Sequence, residues 1–220
     1  MKKIYLSLIT ATMLAGCSSA PEQTTSTQTQ TVSAITSDQD LIKDPQFTEF
    51  RGNNGKSDYW VKHANKNAGQ GDVGSSKDTA FGDDGSARLR FVSPNDDFTA
   101  QPGLTQQISG LKPNTDYTLS FYYYDNKGIN SPSELMLGLK DSSGKDIASK
   151  TIHVSDVMNN PQGEVKKGFK LVTLDFNSGS NNTAELFALL KIIAPDQINK
   201  DGDIGKQTEV RIDEFKITQH

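Results

Sequence analysis

Eight segments of this sequence alternate apolar and polar side chains or read as short apolar runs, and both patterns are typical of β-strands. In the clearest case, DYTLSFYYY (residues 116–124), the odd positions from 117 to 123 carry Tyr, Leu, Phe and Tyr. Successive side chains of a strand point to opposite faces, so one face is predicted to be buried. The other seven predicted strands span residues 87–92, 104–108, 134–140, 147–154, 170–176, 185–193 and 210–218.

Turn signals separate these segments, namely GLKPNT, DSSGKD, NSGSNN and INKDGDIG. ELFALLKII (residues 185–193) has the composition of a short helix, but its Asn and Pro brackets and its neighbouring strands favour a buried strand. Many short strands without a convincing amphipathic helix indicate an all-β sandwich or barrel. The stretch 65–85 is predicted to be a long loop at its rim.

The only cysteine, Cys17, follows a signal peptide rather than a core segment. Lys2 and Lys3 precede an apolar run that is too short to span a bilayer. Leu-Ala-Gly-Cys at residues 14–17 then matches a bacterial lipobox, which predicts cleavage after residue 16 and lipidation of Cys17. We therefore expect a lipid-anchored protein of the bacterial cell envelope, in the outer membrane if the host has one.

Residues 17–40 form the second predicted region, a disordered tether. Fifteen of the twenty-three residues from Ser18 to Asp40 are Ser, Thr or Gln, and none is Lys or Arg. Such a segment buries too little apolar surface to offset its ordering entropy. Residues 41–220 remain for one β-sandwich domain. The formal net charge of the whole chain, -4, gives no support for nucleic-acid binding.

Several segments resemble carbohydrate-binding modules of the family 4 and family 9 type. LIKDPQFTEF resembles their opening strand, and DGSARLRF, LTQQISGLKPNTDYTLSFYYY and VRIDEFKIT resemble later strands in the expected order. The resemblance implies a jelly roll of two antiparallel sheets that binds a polysaccharide, usually without catalysis. Because GLKPNT followed by a strand also occurs in other extracellular β-sandwiches, the resemblance carries the fold more firmly than the ligand.

The same resemblance implies a structural Ca²⁺ ion between the first and last strands. Glu49 and Asp213 match positions of that site, while Glu214 stands where the family often has a second Asp. Carboxylate oxygens suit calcium, and pinning the chain ends together suits a domain without disulfides. The alternative is that both are ordinary solvated strand residues.

Sugars present an apolar C–H face and a rim of hydroxyls, so a glycan site combines aromatic rings with polar groups. Tyr122 and Tyr124 are predicted to project together from the face opposite the core, with Met136 and Lys140 on the corresponding face of the next strand. Trp60 is a further candidate. The alternatives are a second packed layer or loop cover for the tyrosines and a core position for Trp60.

The expected function is non-covalent polysaccharide binding, with separate glycan-degrading enzymes as further expected partners. No Gly-x-Ser-x-Gly motif is present, Cys17 is assigned to lipidation, and the motifs of jelly-roll alginate lyases are not matched. The alternatives are a structural or protein-interaction lipoprotein and, third, a lyase or glycosidase with an unfamiliar site.

Overall fold

The computed structural model describes residues 40–82, 85–157 and 168–220. The predicted signal peptide, Cys17 and nearly all of the predicted tether lie outside these residues. No helix in the described ranges is long and apolar enough to cross a membrane. The described strands are β1 (Val61–His63), β2 (Asp72–Ser76), β3 (Ser86–Arg90), β4 (Gly103–Ser109), β5 (Asp116–Asp125), β6 (Ser133–Lys140), β7 (Asp146–Ile152), β8 (Lys170–Asn177), β9 (Thr183–Ile192) and β10 (Val210–Gln219).

Helical structure in these ranges is limited to short pieces. The α-helices are α1 (Thr48–Gly52) and α2 (Ile204–Thr208), and the 3₁₀ turns are Lys66–Ala68, Gly128–Asn130, Val154–Asp156 and Pro195–Gln197. Asp203 caps α2 by accepting a hydrogen bond from the Lys206 amide at 3.1 Å, so this part of INKDGDIG is a turn and a helix start.

The strands form two five-stranded antiparallel sheets. Sheet A has the order β1-β4-β9-β6-β7, and sheet B has the order β2-β3-β10-β5-β8. Consecutive strands β5 and β6 therefore belong to different sheets. The predicted all-β jelly-roll sandwich is confirmed, including the strand reading of ELFALLKII as β9.

The core lies between the sheets and is made by the alternating residues that the sequence pattern indicates. Sheet A contributes Leu135, Leu137 and Leu139 from β6, all fully buried. Sheet B contributes Phe121 from β5 and Phe215 from β10, whose rings stack at 5.0 Å. Burying a side chain of this size stabilises the fold by about 1.5–3 kcal/mol relative to leaving it exposed.

The chain before β1 differs from the prediction. Residues 41–50 are not a strand, because Phe47 has a left-handed φ of 54° and α1 follows it. The Asp44 carboxylate accepts hydrogen bonds from the amides of Glu49 and Phe50, both at 2.9 Å, which holds the start of this helix. Glu49 therefore lies on a helix and not on an opening strand.

Two short strands also differ from the prediction. β2 lies within the stretch 65–85 that was expected to be a loop, and β1 precedes it. Neither has the alternating pattern that reveals the longer strands: all three residues of β1 are exposed, and β2 contains Gly74. Both pair with a neighbouring strand because the sheet, rather than their own composition, provides the partner.

Candidate functional site

The outer face of sheet A consists of every second residue of its strands, on the side turned away from the core. Its central strand, β9, presents Glu185, Phe187, Leu189 and Lys191. Phe187 and Leu189 belong to neither of the two buried hydrophobic clusters, although Phe187 is only 3% exposed. An apolar pair in the middle of an outer sheet face is the feature that distinguishes this surface.

Two glycines make room for these apolar side chains. Gly138 of β6 is the register partner of Phe187, and a Cβ at Gly138 would lie 2.9 Å from Phe187 Cζ. Gly103 of β4 is the partner of Leu189, and a Cβ there would lie 2.6 Å from Leu189 Cδ2. Each side chain on β9 therefore lies against a neighbouring strand that has no side chain at that position.

Met136 completes the group, because it is the register partner of Leu189 on β6 and is half-buried. We call Phe187, Leu189 and Met136 the apolar floor. The five strands of sheet A span about 19 Å across this face, at an interstrand spacing of about 4.8 Å. That width accommodates an extended oligosaccharide running across the strands.

Polar side chains surround the apolar floor. Thr105 is the register partner of Phe187, and its Oγ1 lies 2.8 Å from His63 Nε2. Gln107 donates a hydrogen bond to Glu185 at 3.2 Å, and Lys191 lies 3.7 Å from Glu134. A small apolar area ringed by hydrogen-bonding groups is the chemistry of a sugar-binding surface.

Lys140 is a charged residue beside the floor. Its Nζ lies 5.0 Å from the centroid of the Phe187 ring, within the range of a cation–π contact. Of the five predicted sugar-contact residues, the structure brings Met136 and Lys140 together on this face.

Tyr59 and Val61 mark the edge of the same sheet. They are 45% and 57% exposed, whereas Trp60 between them is 2% exposed. Val61 is the register partner of Thr105, so the edge strand extends the row that contains Phe187. Sequence reasoning missed both Tyr59 and Phe187, since neighbouring aromatic and apolar residues leave open which of them faces inward.

The structure corrects the prediction for Trp60. Its ring stacks on Phe47 at 5.0 Å and packs against Phe215 at 5.4 Å, while its Nε1 donates to the Asp44 carbonyl at 3.0 Å. The indole N–H is satisfied and the ring is enclosed by aromatic side chains. Trp60 is a core residue and offers no ring face to a ligand.

The structure also corrects the prediction for Tyr122 and Tyr124. They lie on the outer face of sheet B, on the opposite side of the sandwich from Met136 and Lys140. Phe81 packs edge-on against Tyr122 at 4.9 Å, and Phe169 packs against Tyr124 at 5.4 Å. Tyr122 is therefore only 7% exposed, because residues before β3 and β8 cover the strand.

A charged network occupies the part of the outer face of sheet B that is formed by β2, β3 and the start of β10. The Glu209 carboxylate, whose side chain is 6% exposed, pairs with Arg211 and lies 3.4 Å from Arg90 and 3.8 Å from Arg88. Asp72 lies 3.1 Å from Arg90, and Asp78 lies 2.8 Å from Arg211. Burial lowers the pKa of Arg88, with the neighbouring Arg90 charge adding to the effect. These charges neutralise one another and bind the strands of sheet B together.

The predicted calcium ligands are both engaged by backbone amides. Asp213, fully buried, accepts hydrogen bonds from the amides of Ala80 at 2.8 Å and Glu214 at 2.9 Å. Glu49 accepts one from the Asp58 amide at 2.9 Å. Within residues 40–82, 85–157 and 168–220, no three His, Cys, Asp or Glu side chains are grouped so as to hold a metal ion. These contacts give the calcium site no support, and calcium binding stays a prediction of the resemblance alone.

No protein-family model matches the sequence, and a comparison with curated proteins finds no match. Solved structures nevertheless share the fold. TmCBM61, determined in complex with β-1,4-galactotriose, is 15% identical over 83% of this chain and 99% of its own, with a TM-score of 0.51. The enzymatically active domain of tailspike protein 4 from bacteriophage CBA120 is 14% identical, with a TM-score of 0.51.

The tailspike match covers 82% of this chain but only 21% of the tailspike chain, so this protein spans about a fifth of its length. The TmCBM61 match extends over nearly the whole of that module. At these identities the likeness concerns the fold. The chain has the jelly-roll β-sandwich fold of carbohydrate-binding modules.

Proposed function

We propose that this protein binds a polysaccharide non-covalently on the outer face of sheet A. The observation that carries the proposal is the apolar floor of Phe187, Leu189 and Met136 inside a ring of hydrogen-bonding side chains. The C–H face of a sugar ring packs on the floor, and its hydroxyls exchange hydrogen bonds with groups such as Thr105 and Gln107. On the outer face of sheet B, Phe81 and Phe169 pack on Tyr122 and Tyr124, and the arginines are paired with carboxylates.

The binding is proposed to be non-catalytic. The two Glu residues beside the floor are each engaged: Glu134 pairs with Lys191, and Glu185 accepts from Gln107. Both carboxylates therefore already have partners within the protein. Release of reducing ends or unsaturated products from a bound glycan would instead establish a glycosidase or a lyase.

The proposal includes attachment to the bacterial envelope through lipid on Cys17. It rests on the lipobox at residues 14–17 and the polar segment that follows it. The tethered domain would hold glycan near the cell, where separate degrading enzymes act on it. Mass spectrometry of the mature protein tests this part, since an unmodified Cys17 contradicts it.

Affinity electrophoresis of residues 40–220 tests the binding face. Galactan is the first ligand of the panel, because TmCBM61 was determined with β-1,4-galactotriose; xylan, other neutral glycans and acidic glycans complete it. Phe187→Ala is expected to weaken binding at least tenfold by removing the stacking ring. The matched control is Thr173→Ala, an exposed position on β8 of sheet B, which should bind as the wild type does.

Retardation by no glycan would reject the proposal and favour a protein-interaction role. Equal loss of binding in both variants would place the site elsewhere. Circular dichroism of each variant separates a lost contact from a lost fold.

A further inference from the structure

The ring that should stack on a sugar is already covered by a side chain of the protein itself. Phe187 is 3% exposed, and the Lys140 ammonium lies 5.0 Å from its ring centroid. A sugar cannot pack on this ring face while the ammonium remains there. A sugar that packs on Phe187 must therefore displace the Lys140 ammonium from the ring.

Lys140 also has two carboxylate neighbours that it does not use. Its register partners are Glu185 on β9 and Asp146 on β7, and side chains opposite each other across strands are within reach. Among the described residues Lys140 forms no ion pair within 4 Å. Lys191, three rows away along the same face, does pair with its partner Glu134, at 3.7 Å.

We propose that Lys140 is a displaceable cover of Phe187 and that an uncharged sugar takes its place. When the sugar packs on the ring, the ammonium turns to Glu185 and Asp146, so its charge stays compensated. This inference rests on the proposed function and assigns the ligand to the neutral polysaccharides.

The charges of the face explain the preference for a neutral chain. Glu134, Glu185 and Asp146 face Lys140 and Lys191, so the cations of this surface have carboxylate partners within the protein. A uronic acid would compete with those carboxylates for Lys140 and would be repelled by them. A neutral sugar leaves the internal pairing intact.

Removing the cover should therefore strengthen binding. Lys140→Ala is expected to bind neutral galactan about two- to fivefold more tightly than the wild type, which corresponds to an exposed cation–π contact. Lys140→Arg is expected to bind more weakly, because Arg favours aromatic faces. The control Lys216→Ala removes the same charge from an exposed position on β10 of sheet B, away from the proposed face, and should bind as the wild type does.

Isothermal titration with galactan oligosaccharides and with oligogalacturonates tests the exchange. If Lys140→Ala binds galactan no more tightly than the wild type does, Lys140 is not a cover of Phe187. If the wild type binds oligogalacturonate more tightly than galactan, the ligand is not a neutral polysaccharide. If no variant binds any glycan while all remain folded, the proposed function fails, and this inference fails with it.

A measurement on the free protein tests the cover without any ligand. The ε-methylene protons of Lys140 should show an upfield ring-current shift in NMR spectra, and Phe187→Leu should abolish it. Lys191, a lysine on the same outer face, should show no such shift. An unshifted Lys140 signal in the wild type overturns the cover even if galactan binds.

Discussion

The outer faces of the two sheets arise from strands with the same alternating pattern, yet they end in different states. On sheet A the central strand presents an apolar floor beside two glycines, with polar groups around it. On sheet B the equivalent positions carry Arg88 and Arg211, and Phe81 and Phe169 cover the tyrosines of β5. A strand pattern assigns residues to an outer face, but neighbouring strands and preceding segments decide whether that face is available to a ligand.

Removing one carboxylate from each outer face should give the largest difference in stability between the two faces. Glu209→Ala is expected to destabilise the fold by about 2–3 kcal/mol, because three half-buried guanidinium groups lose the carboxylate they share and keep only Asp72 and Asp78. Glu185→Ala on sheet A should cost about 1 kcal/mol or less, since it loses one hydrogen bond to Gln107. Urea denaturation of both variants measures this. Equal losses would contradict the view that sheet B alone depends on its outer charges.

A glycine on each face gives a second comparison. A Cβ at Gly138 of sheet A would lie 2.2 Å from the Ala148 carbonyl oxygen and would press on Phe187, so Gly138→Ala should destabilise by about 1–3 kcal/mol. A Cβ at Gly74 of sheet B would meet only the end of the Arg88 side chain, at 3.6 Å. Gly74→Ala should be neutral or slightly stabilising. Thermal unfolding distinguishes them, and a tolerated Gly138→Ala would argue against the close packing of the floor.

Asp125 lies on neither outer face, so its substitution should change the stability of the fold without changing glycan binding. Asp125 is buried at the end of β5, and burial raises its pKa despite hydrogen bonds from the amides of Lys127 and Gly128. Its contribution to stability is full below the unfolded-state pKa and is lost as the pH rises through the raised folded-state pKa.

Relative to Asp125→Asn, the wild type should therefore be more stable at pH 4 than at pH 7, as urea unfolding at both values would measure. Glycan affinity should show no such difference between the two proteins. A wild-type advantage that grows with pH would show that ionised Asp125 stabilises the fold.

Of these changes, adding or removing calcium should have the smallest effect on stability. The carboxylates of Glu49 and Asp213 already accept backbone hydrogen bonds, so the melting temperature is expected to agree within about 1 °C in CaCl₂ and in EDTA. An occupied site at a hundredfold excess over its Kd would stabilise by about 2.7 kcal/mol. A rise of several degrees in CaCl₂ would establish the calcium site that the resemblance implies.

The candidate site shows where sequence reasoning stops. Met136 and Lys140 were predicted on an outer face and lie there, because alternation along one strand is a local property. Tyr122 and Tyr124 were assigned to the same surface as Met136, but β5 and β6 belong to different sheets. Trp60 was a further candidate, but the fold turns it into the core and leaves its neighbour Tyr59 exposed.

The sequence by itself determined the all-β class, the positions of eight of the ten described strands and the buried side of the strands that alternate clearly. These follow from a period of two residues, which such a strand carries in its own side chains. Only the tertiary structure decided which strands share a sheet and which outer face stays open. Those properties depend on contacts between residues far apart in the chain, such as Gly138 with Phe187 and Phe81 with Tyr122, and no local pattern encodes them.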